Sequence, residues 1–435
     1  VTWPIRGLIE GFYGPPWGWE DRREVMETCH RWGLSHYVYA PKDDPKHRQA
    51  WRVPYDRSEL AQLERLVTAG TLRVGFALAP GLSIDYGDAD DRAALFTKVD
   101  QMLGLGIDLV CLALDDIPPR PGLGRDHAEL TCRLTDHVGG RAGVVLVPTE
   151  YTGTAPTPYL EALAEGLPEE VAVGWTGPTV VCDAVSAEQA RARASALGGR
   201  PPLLWDNYPV NDALMDDRLF LGPLRGRDPH LAEACSGYLA NPMIQPRCSL
   251  LPLASTAAFL RGEDPEAAWR AEADRRGLRV FAEACDGVVP RALVAAVVAG
   301  RDASRREALD ELGAWLDAAA DVEAPGLEHE AGPWVEQVRR EAGVGRVAVE
   351  LLRRLEAEAD PHASTELGLM LLYLWRDARR SGVSVMGPRL GLRPVLAQGP
   401  DGGWRFREGC VEEDGNAVDA LVRLALRELA SATTP

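Results

Sequence analysis

Through roughly the first 245 residues, short apolar runs recur about every 30 residues, and longer stretches with helical spacing fill the gaps between them. Eight such runs can be counted: Ile5–Glu10, His36–Ala40, Arg73–Ala79, Leu109–Leu114, Gly143–Val147, Val171–Trp175, Pro202–Trp205 and Gly237–Ala240. Eight repeated βα units are what closes a parallel sheet on itself, so the pattern predicts an α/β fold of the (β/α)8 TIM-barrel type. An open doubly wound sheet gives the same alternation, although no GxGxxG follows the first run.

From about Leu250 the texture changes to Ala, Glu, Arg and Leu at helical spacing, which predicts an α-helical bundle domain after the barrel. Trp334 and Val338, and then Val347, Leu351 and Leu355, are expected to line one packed face. Asp360-Pro361 is expected to break one helix before another resumes over residues 366–379. The last segment shows a short extended stretch, a Gly-Pro-Asp-Gly-Gly turn at 399–403 and a final helix carrying Val418, Leu421, Val422 and Ala425. The expected organisation is therefore a barrel over 1–250, a bundle over 251–388 and a small C-terminal segment over 389–435. That is consistent with the two or three units expected of 435 residues.

Charge narrows the partners. A formal net charge of −18 argues against nucleic acid, whose binding needs clustered Lys and Arg. With 46% hydrophobic and 26% charged residues and no long apolar run, neither disorder nor a membrane span is expected. Eight scattered cysteines form neither a CxxC nor a paired framework and read as reduced core thiols of a cytoplasmic protein, and the residues from Val1 on show no basic stretch followed by the apolar run of a secretory signal. Scattered histidines without HExxH leave no metal site to defend, and no organic cofactor is expected. Oligomeric state is not readable.

The sharpest local feature is the buried-type run Leu109–Leu114, which stops at Asp115-Asp116. On a (β/α)8 barrel this places two acids at the catalytic face, where neighbouring carboxyls can divide proton donation from charge stabilisation. Taken alone, an Asp-Asp pair just as well caps a helix or faces water. Other strand ends converge on the same face: Lys42-Asp43-Asp44, Glu150-Tyr151 and Asp206-Asn207, with the rings of Phe12, Tyr13, Tyr151, Trp175 and Trp205. Flat rings beside amides, carboxylates and a lysine suit a sugar better than a phosphate, although each ring alone is more often core.

The segments Gly7–Gly14 with Pro16-Trp17, 39–48 with Trp51-Arg52, and Asp115-Asp116-Ile117 resemble glycoside hydrolase family 84, the O-GlcNAc hydrolases and bacterial β-N-acetylglucosaminidases. The likeness continues in order through 148–151, 175–178, Trp205-Asp206-Asn207, Asn211-Asp212, 219–223 and Asn241-Pro242. The resemblance implies a retaining exo-β-N-acetylglucosaminidase in which the substrate's own 2-acetamido oxygen attacks the anomeric carbon. It acts on a β-GlcNAc glycoside or glycoconjugate. By residue, it implies that Asp115 orients and polarises the acetamide, that Asp116 is general acid and then base, and that Tyr151 bonds the acetamido group. Gly11, Lys42, Asn207, Asp212 and Asn241 would hold sugar hydroxyls, and Trp175 and Trp205 would wall the pocket. Tyr208-Pro209, the Pro- and Gly-rich loop 118–124 and Cys132 depart from the family pattern, and they leave the aglycone open. The alternatives are an endo-acting, hyaluronidase-like glycosidase and a GlcNAc-binding protein without turnover.

Overall fold

The computed structural model of the chain describes residues 3–357, 360–387, 395–398, 404–407 and 415–433. Eight parallel strands form a closed barrel: β1 (Ile5–Glu10), β2 (His36–Tyr39), β3 (Arg73–Leu78), β4 (Leu109–Ala113), β5 (Gly143–Val147), β6 (Ala172–Trp175), β7 (Leu203–Asp206) and β8 (Gly237–Ala240). Closure runs through β1 and β8, where Ile5 registers with Gly237 and Leu8 with Ala240. The barrel, not the open sheet, is the architecture. Each expected strand is found, with ends shifted by at most one residue.

Strand parity explains the core. Ile9, Val38, Ala77, Leu109, Cys111, Val145, Val147, Leu203, Trp205 and Leu239 join in one buried cluster, while the residues between them, such as Leu8, Tyr37, Leu112 and Leu204, are buried too. Both faces of a strand in this fold are covered, one by the barrel interior and one by helices, so the runs are continuously apolar.

The strands alternate with α1 (Trp19–Arg31), α2 (Arg57–Thr68), α3 (Ala89–Leu105), α4 (Leu123–Val138), α5 (Pro158–Gly166), α6 (Ala187–Ala196), α7 (Leu231–Ala234) and α8 (Pro246–Arg261). Local chemistry sets several starts. Asp56 accepts from Ser58 N and Glu59 N while Glu59 reaches back to Asp56 N, and Ser186 with Gln189 does the same for α6, so both helices open on a capping box.

Contacts divide the chain into two compact units. One is Val1–Ala213 with Pro223–Trp269 and Ala397–Arg405, and the other is Leu214–Gly222, Arg270–Leu396 and Phe406–Pro435. The division thus falls beyond the expected residue 250, because α8 packs on α1 as the eighth helix of the barrel.

The helical part comprises α9 (Pro265–Arg276), in which the division falls, then α10 (Arg279–Asp286), α11 (Val288–Ala299), α12 (Asp302–Ala320), α13 (Glu328–Glu356), α14 (Pro361–Ala378) and α15 (Ala417–Thr433). On α13 the buried face runs through Ala331, Trp334, Val338, Ala342, Gly345, Val349 and Leu352, while Val347 and Leu355 are only half-buried. A stripe stepped by four drifts off a helix of 3.6 residues per turn, so the expected line through Val347 and Leu355 is corrected to one that mixes steps of three and four. Helix α14 begins at Pro361, not near Glu366. Asp360 caps it through His362 N, and proline is at home in a first helical turn.

In the C-terminal segment, β9 (Val395–Gln398) pairs with β10 (Trp404–Arg407), and the turn expected at 399–403 lies outside the described residues. Val418, Leu421, Val422 and Ala425 of α15 are buried, and the helix packs on α13 and α14.

Candidate active site

Seven of the eight strands deliver a sequence-predicted site residue to one end of the barrel. Gly11 follows β1, Lys42 follows β2, Asp115 and Asp116 follow β4, and Tyr151 follows β5. Trp175 closes β6, Trp205 lies in β7 with Asn207 and Asp212 beyond it, and Asn241 follows β8. This is the C-terminal end, where the loops of such barrels carry their chemistry.

The two adjacent acids are held in different ways. Asp115 Oδ2 receives Lys42 Nζ at 2.5 Å, with both side chains almost fully buried, and Asp115 Oδ1 is buried without a hydrogen-bond partner among the described residues. Asp116 instead receives two phenols, Tyr151 OH on Oδ1 at 2.9 Å and Tyr13 OH on Oδ2 at 2.6 Å. Asp116 takes a left-handed backbone, φ 51°, which costs a non-glycine residue about 1–3 kcal/mol and clusters at functional sites. Burial opposes the charge of Lys42, but Asp115, Tyr13 and Asp116 outweigh it and raise the lysine above its ordinary value. Tyr151 is pushed up by burial and by both aspartates, so its phenol stays a donor.

The Tyr13 ring was expected at this face and Arg48 falls in a family-like segment, but neither had been given a role in the site. Tyr13 N donates to Asp212 Oδ2 at 2.7 Å, and Arg48 donates to Tyr13 OH at 2.6 Å. Burial and then Asp116 push the Tyr13 phenol up, against Lys42 and Arg48, to about 12. Burial likewise raises the Asp212 carboxyl. Tyr13 stands two residues after Gly11 on the same strand end, which is what placed its ring at this face; its bond to Asp116 is what the sequence did not show. The contact of Arg48 with Tyr13 is likewise created by the fold.

A second network of amides adjoins the first. Asn241 Oδ1 accepts from Gly11 N at 3.2 Å, Asn241 Nδ2 donates to Asn207 Oδ1 at 2.9 Å, and Trp205 Nε1 donates to that same oxygen at 3.0 Å. Asn207 Nδ2 is tied to Val180 O at 2.7 Å. The backbone of Gly11 runs against the Trp205 indole so closely that a Cβ there would lie 2.3 Å from Cζ2.

Some expected contributors turn elsewhere. Trp175 is fully buried, with its indole N–H on Gly153 O at 2.8 Å, so it supports the loop after Tyr151 from beneath. Asp206 is turned away from the barrel interior, forked by Arg227 at 2.7 Å through both oxygens and bonded by Tyr238 OH. Asp44 is bound by Tyr39 OH, Tyr55 OH and Lys46 N, and Glu150 by Thr157 Oγ1.

A closed barrel with a carboxylate pair and an amide network at the strand ends defines a (β/α)8 glycoside hydrolase. A model of the β-N-acetylglucosaminidase family matches residues 6–284, and the chain belongs to that family, glycoside hydrolase family 84. The protein O-GlcNAcases of Rattus norvegicus and Mus musculus are each 34% identical over 254 residues, 54% of this chain and 28% of theirs. The chain therefore matches well under two thirds of the length of these relatives. Among solved structures, a mutant of the Thermobaculum terrenum O-GlcNAc hydrolase superposes with a TM-score of 0.84 at 24% identity, covering 99% of this chain and 96% of that one. CpGH84B superposes with a TM-score of 0.82 at 23% identity, covering 97% and 77%. Both share the fold.

Proposed function

We propose that the chain is a retaining exo-β-N-acetylglucosaminidase that releases terminal β-linked GlcNAc by substrate-assisted catalysis. The observation that carries this reading is the unequal pair: Asp115 has one oxygen committed to Lys42 and the other buried without a partner among the described residues, whereas the Asp116 oxygens take one buried phenol, Tyr151, and one exposed phenol, Tyr13. A buried acceptor without a donor suits the N–H of an acetamide.

In the first step the acetamido oxygen attacks C1 as the bond from C1 to the leaving oxygen breaks, and Asp116 gives its proton to that oxygen. Asp115 accepts the acetamide N–H and stabilises the positive charge that develops on the forming oxazoline, with Lys42 fixing its orientation. Water then adds to C1 while Asp116 takes its proton, the oxazoline reopens to the acetamide, and two inversions give net retention. Tyr151, whose phenol donates to Asp116 Oδ1 in the structure, would turn that one proton to the acetamido oxygen when substrate binds. Gly11, Lys42, Asn207, Asp212 and Asn241 hold hydroxyls, and Trp205 walls the pocket. The seven free cysteines among the described residues support a reducing, cytoplasmic setting.

The test is hydrolysis of an aryl β-N-acetylglucosaminide by the wild type, Asp115→Asn and Asp116→Asn, with the matching β-glucoside as control. Acetamido-dependent turnover lost in both variants is expected. Equal turnover of the β-glucoside would sink substrate assistance, and no wild-type turnover would favour a GlcNAc-binding protein.

A further inference from the structure

Only β3 sends no residue to the site just described, yet its end is not idle. The segment after β3 faces the loop after Asp116 across a cavity of about 540 Å³, lined among others by Ser83, Asp85, Tyr86, Ile117, Pro118 and Arg120. Such a volume lies within the range of roughly 300–1,000 Å³ of small-molecule pockets. Its lining includes Pro118 and Arg120 of the Pro- and Gly-rich loop that departs from the family pattern, and Ile117, the residue that follows Asp116.

The cavity has a built wall. Tyr86 OH is 2.8 Å from His127 Nε2, His127 Nδ1 is 2.7 Å from Tyr159 OH, and Tyr159 OH accepts from Thr149 N at 3.0 Å. His127 is fully buried, and burial, then Arg120, pushes it down to about 3, so the neutral ring links two hydroxyls as one donor and one acceptor. The Tyr86 ring is thereby fixed in place before any ligand arrives. Arg120 stands 5.4 Å from the centre of that ring and is paired with Asp126. With the one guanidinium neutralised by Asp126 and Asp85 left over, the lining holds no surplus positive charge for an anion.

We propose that this cavity is the subsite for the leaving group and that it takes a neutral sugar ring. The proposal rests on the reading that Asp116 protonates the leaving oxygen, and on Ile117, the residue that follows Asp116, lining this cavity together with Pro118. The Tyr86 face would pack on the C–H face of the second sugar, while Ser83, Asp85 and Arg120 at the rim offer donors and acceptors to its hydroxyls. Besides the Tyr86 ring the lining carries four polar side chains, Ser83, Asp85, Arg120 and Asp126, a set that suits the hydroxyls of a sugar.

Steady-state kinetics on two substrates tests this. β-N-acetylglucosaminyl fluoride has a one-atom leaving group that cannot reach the cavity, whereas N,N′-diacetylchitobiose places a second sugar there. For Tyr86→Ala the expected result is kcat/KM on the fluoride within about twofold of wild type and a fall of about tenfold on the disaccharide, mainly in KM. Tyr86→Phe keeps the ring and should keep disaccharide turnover, and Asp85→Ala, on an exposed side chain, should lower it without touching the fluoride. Equal losses on both substrates, or no loss on either, overturn the proposal. So does a wild type that ignores the disaccharide but cleaves a GlcNAc-modified peptide, with Tyr86→Ala slowing only that peptide. Absence of fluoride hydrolysis by the wild type defeats the glycosidase reading itself, and the proposal with it, a pattern distinct from the others.

Discussion

Lys42 Nζ and Asp115 Oδ2 form a 2.5 Å ion pair whose side chains are only 3% and 8% exposed, and the second Asp115 oxygen has no partner among the described residues. A buried pair of this kind is costly to break from one side. Lys42→Met is expected to destabilise the barrel by about 3–5 kcal/mol and to lower kcat by at least about 100-fold, because it strands a buried carboxylate and frees its orientation. The folded-state pKa of Lys42 is raised, so its contribution is complete below the unfolded lysine value of about 10.4 and is lost only as pH rises through the higher folded value. Urea unfolding and kcat measured across the neutral range check this. Full kcat in a folded Lys42→Met protein would show that the lysine does not position Asp115.

Gly11 and Trp205 are coupled by space alone. An alanine Cβ at 11 would meet Trp205 Cζ2 at 2.3 Å and Cη2 at 2.8 Å, so the indole would have to tilt and give up its 3.0 Å bond to Asn207. Gly11→Ala is expected to cost about 1–3 kcal/mol, as overpacking does, and to raise KM by about tenfold through the displaced amides. Trp205→Phe removes the colliding ring edge. A double-mutant cycle should therefore show the two losses to be strongly non-additive. Additive losses would place the damage elsewhere.

The barrel was legible because its physics is local. Strands covered on both faces must be continuously apolar, and β1, β5 and β8 were read to the residue for that reason. The acid pair was legible only in company, since Asp115-Asp116 alone just as well caps a helix or faces water, and it was the polar and aromatic ends of the other strands that set it apart. What the sequence hid was direction. Tyr13 reaches Asp116 across 103 residues and Arg48 reaches Tyr13 across 35, and no local pattern announces such meetings. Asp206 was misjudged, although strand parity contains the answer: Trp205 points into the barrel, so its neighbour must point out.

Asp206 consequently gives a contrast between stability and catalysis. Its carboxylate satisfies Arg227, whose side chain is 3% exposed, and it accepts from Tyr238 OH. Asp206→Ala leaves that guanidinium buried and uncompensated, with an expected loss of about 3–5 kcal/mol. At temperatures where the variant stays folded, kcat/KM should remain within about twofold of wild type, because neither partner touches the acid pair. A Tm series together with assays at low temperature separates the two effects, and a selective loss of kcat would return Asp206 to the site.

The two compact units should respond to pH with opposite signs. In the barrel unit, burial is the leading cause that pushes His36 down to about 4 and His47 and His127 down to about 3. Native rings that stay neutral while unfolded rings protonate stabilise the fold above the unfolded value of about 6.5, and that stability is lost as pH falls toward the folded values. The slope is at most about 1.4 kcal/mol per pH unit for each histidine. Carboxylates held low by partners, such as Asp91 beside Arg52, act in the same direction only below about pH 4, and Asp212, raised by burial, opposes them, so the interval from about 5 to 6.5 sets three histidines against one carboxyl. In the helical unit, burial raises Glu341 to about 7 against donation from Gln337 and Asn416. A carboxyl that prefers its proton when folded has its full stabilising effect below the unfolded value of about 4.3 and loses it as pH rises through about 7. Calorimetry between about pH 5 and pH 6.5 should therefore show the barrel transition rising and the helical transition falling as pH increases. Replacing His47 and His127 with glutamine should flatten the first trend and Glu341→Gln the second. Trends of the same sign, untouched by these substitutions, would mean that other groups govern the acid response.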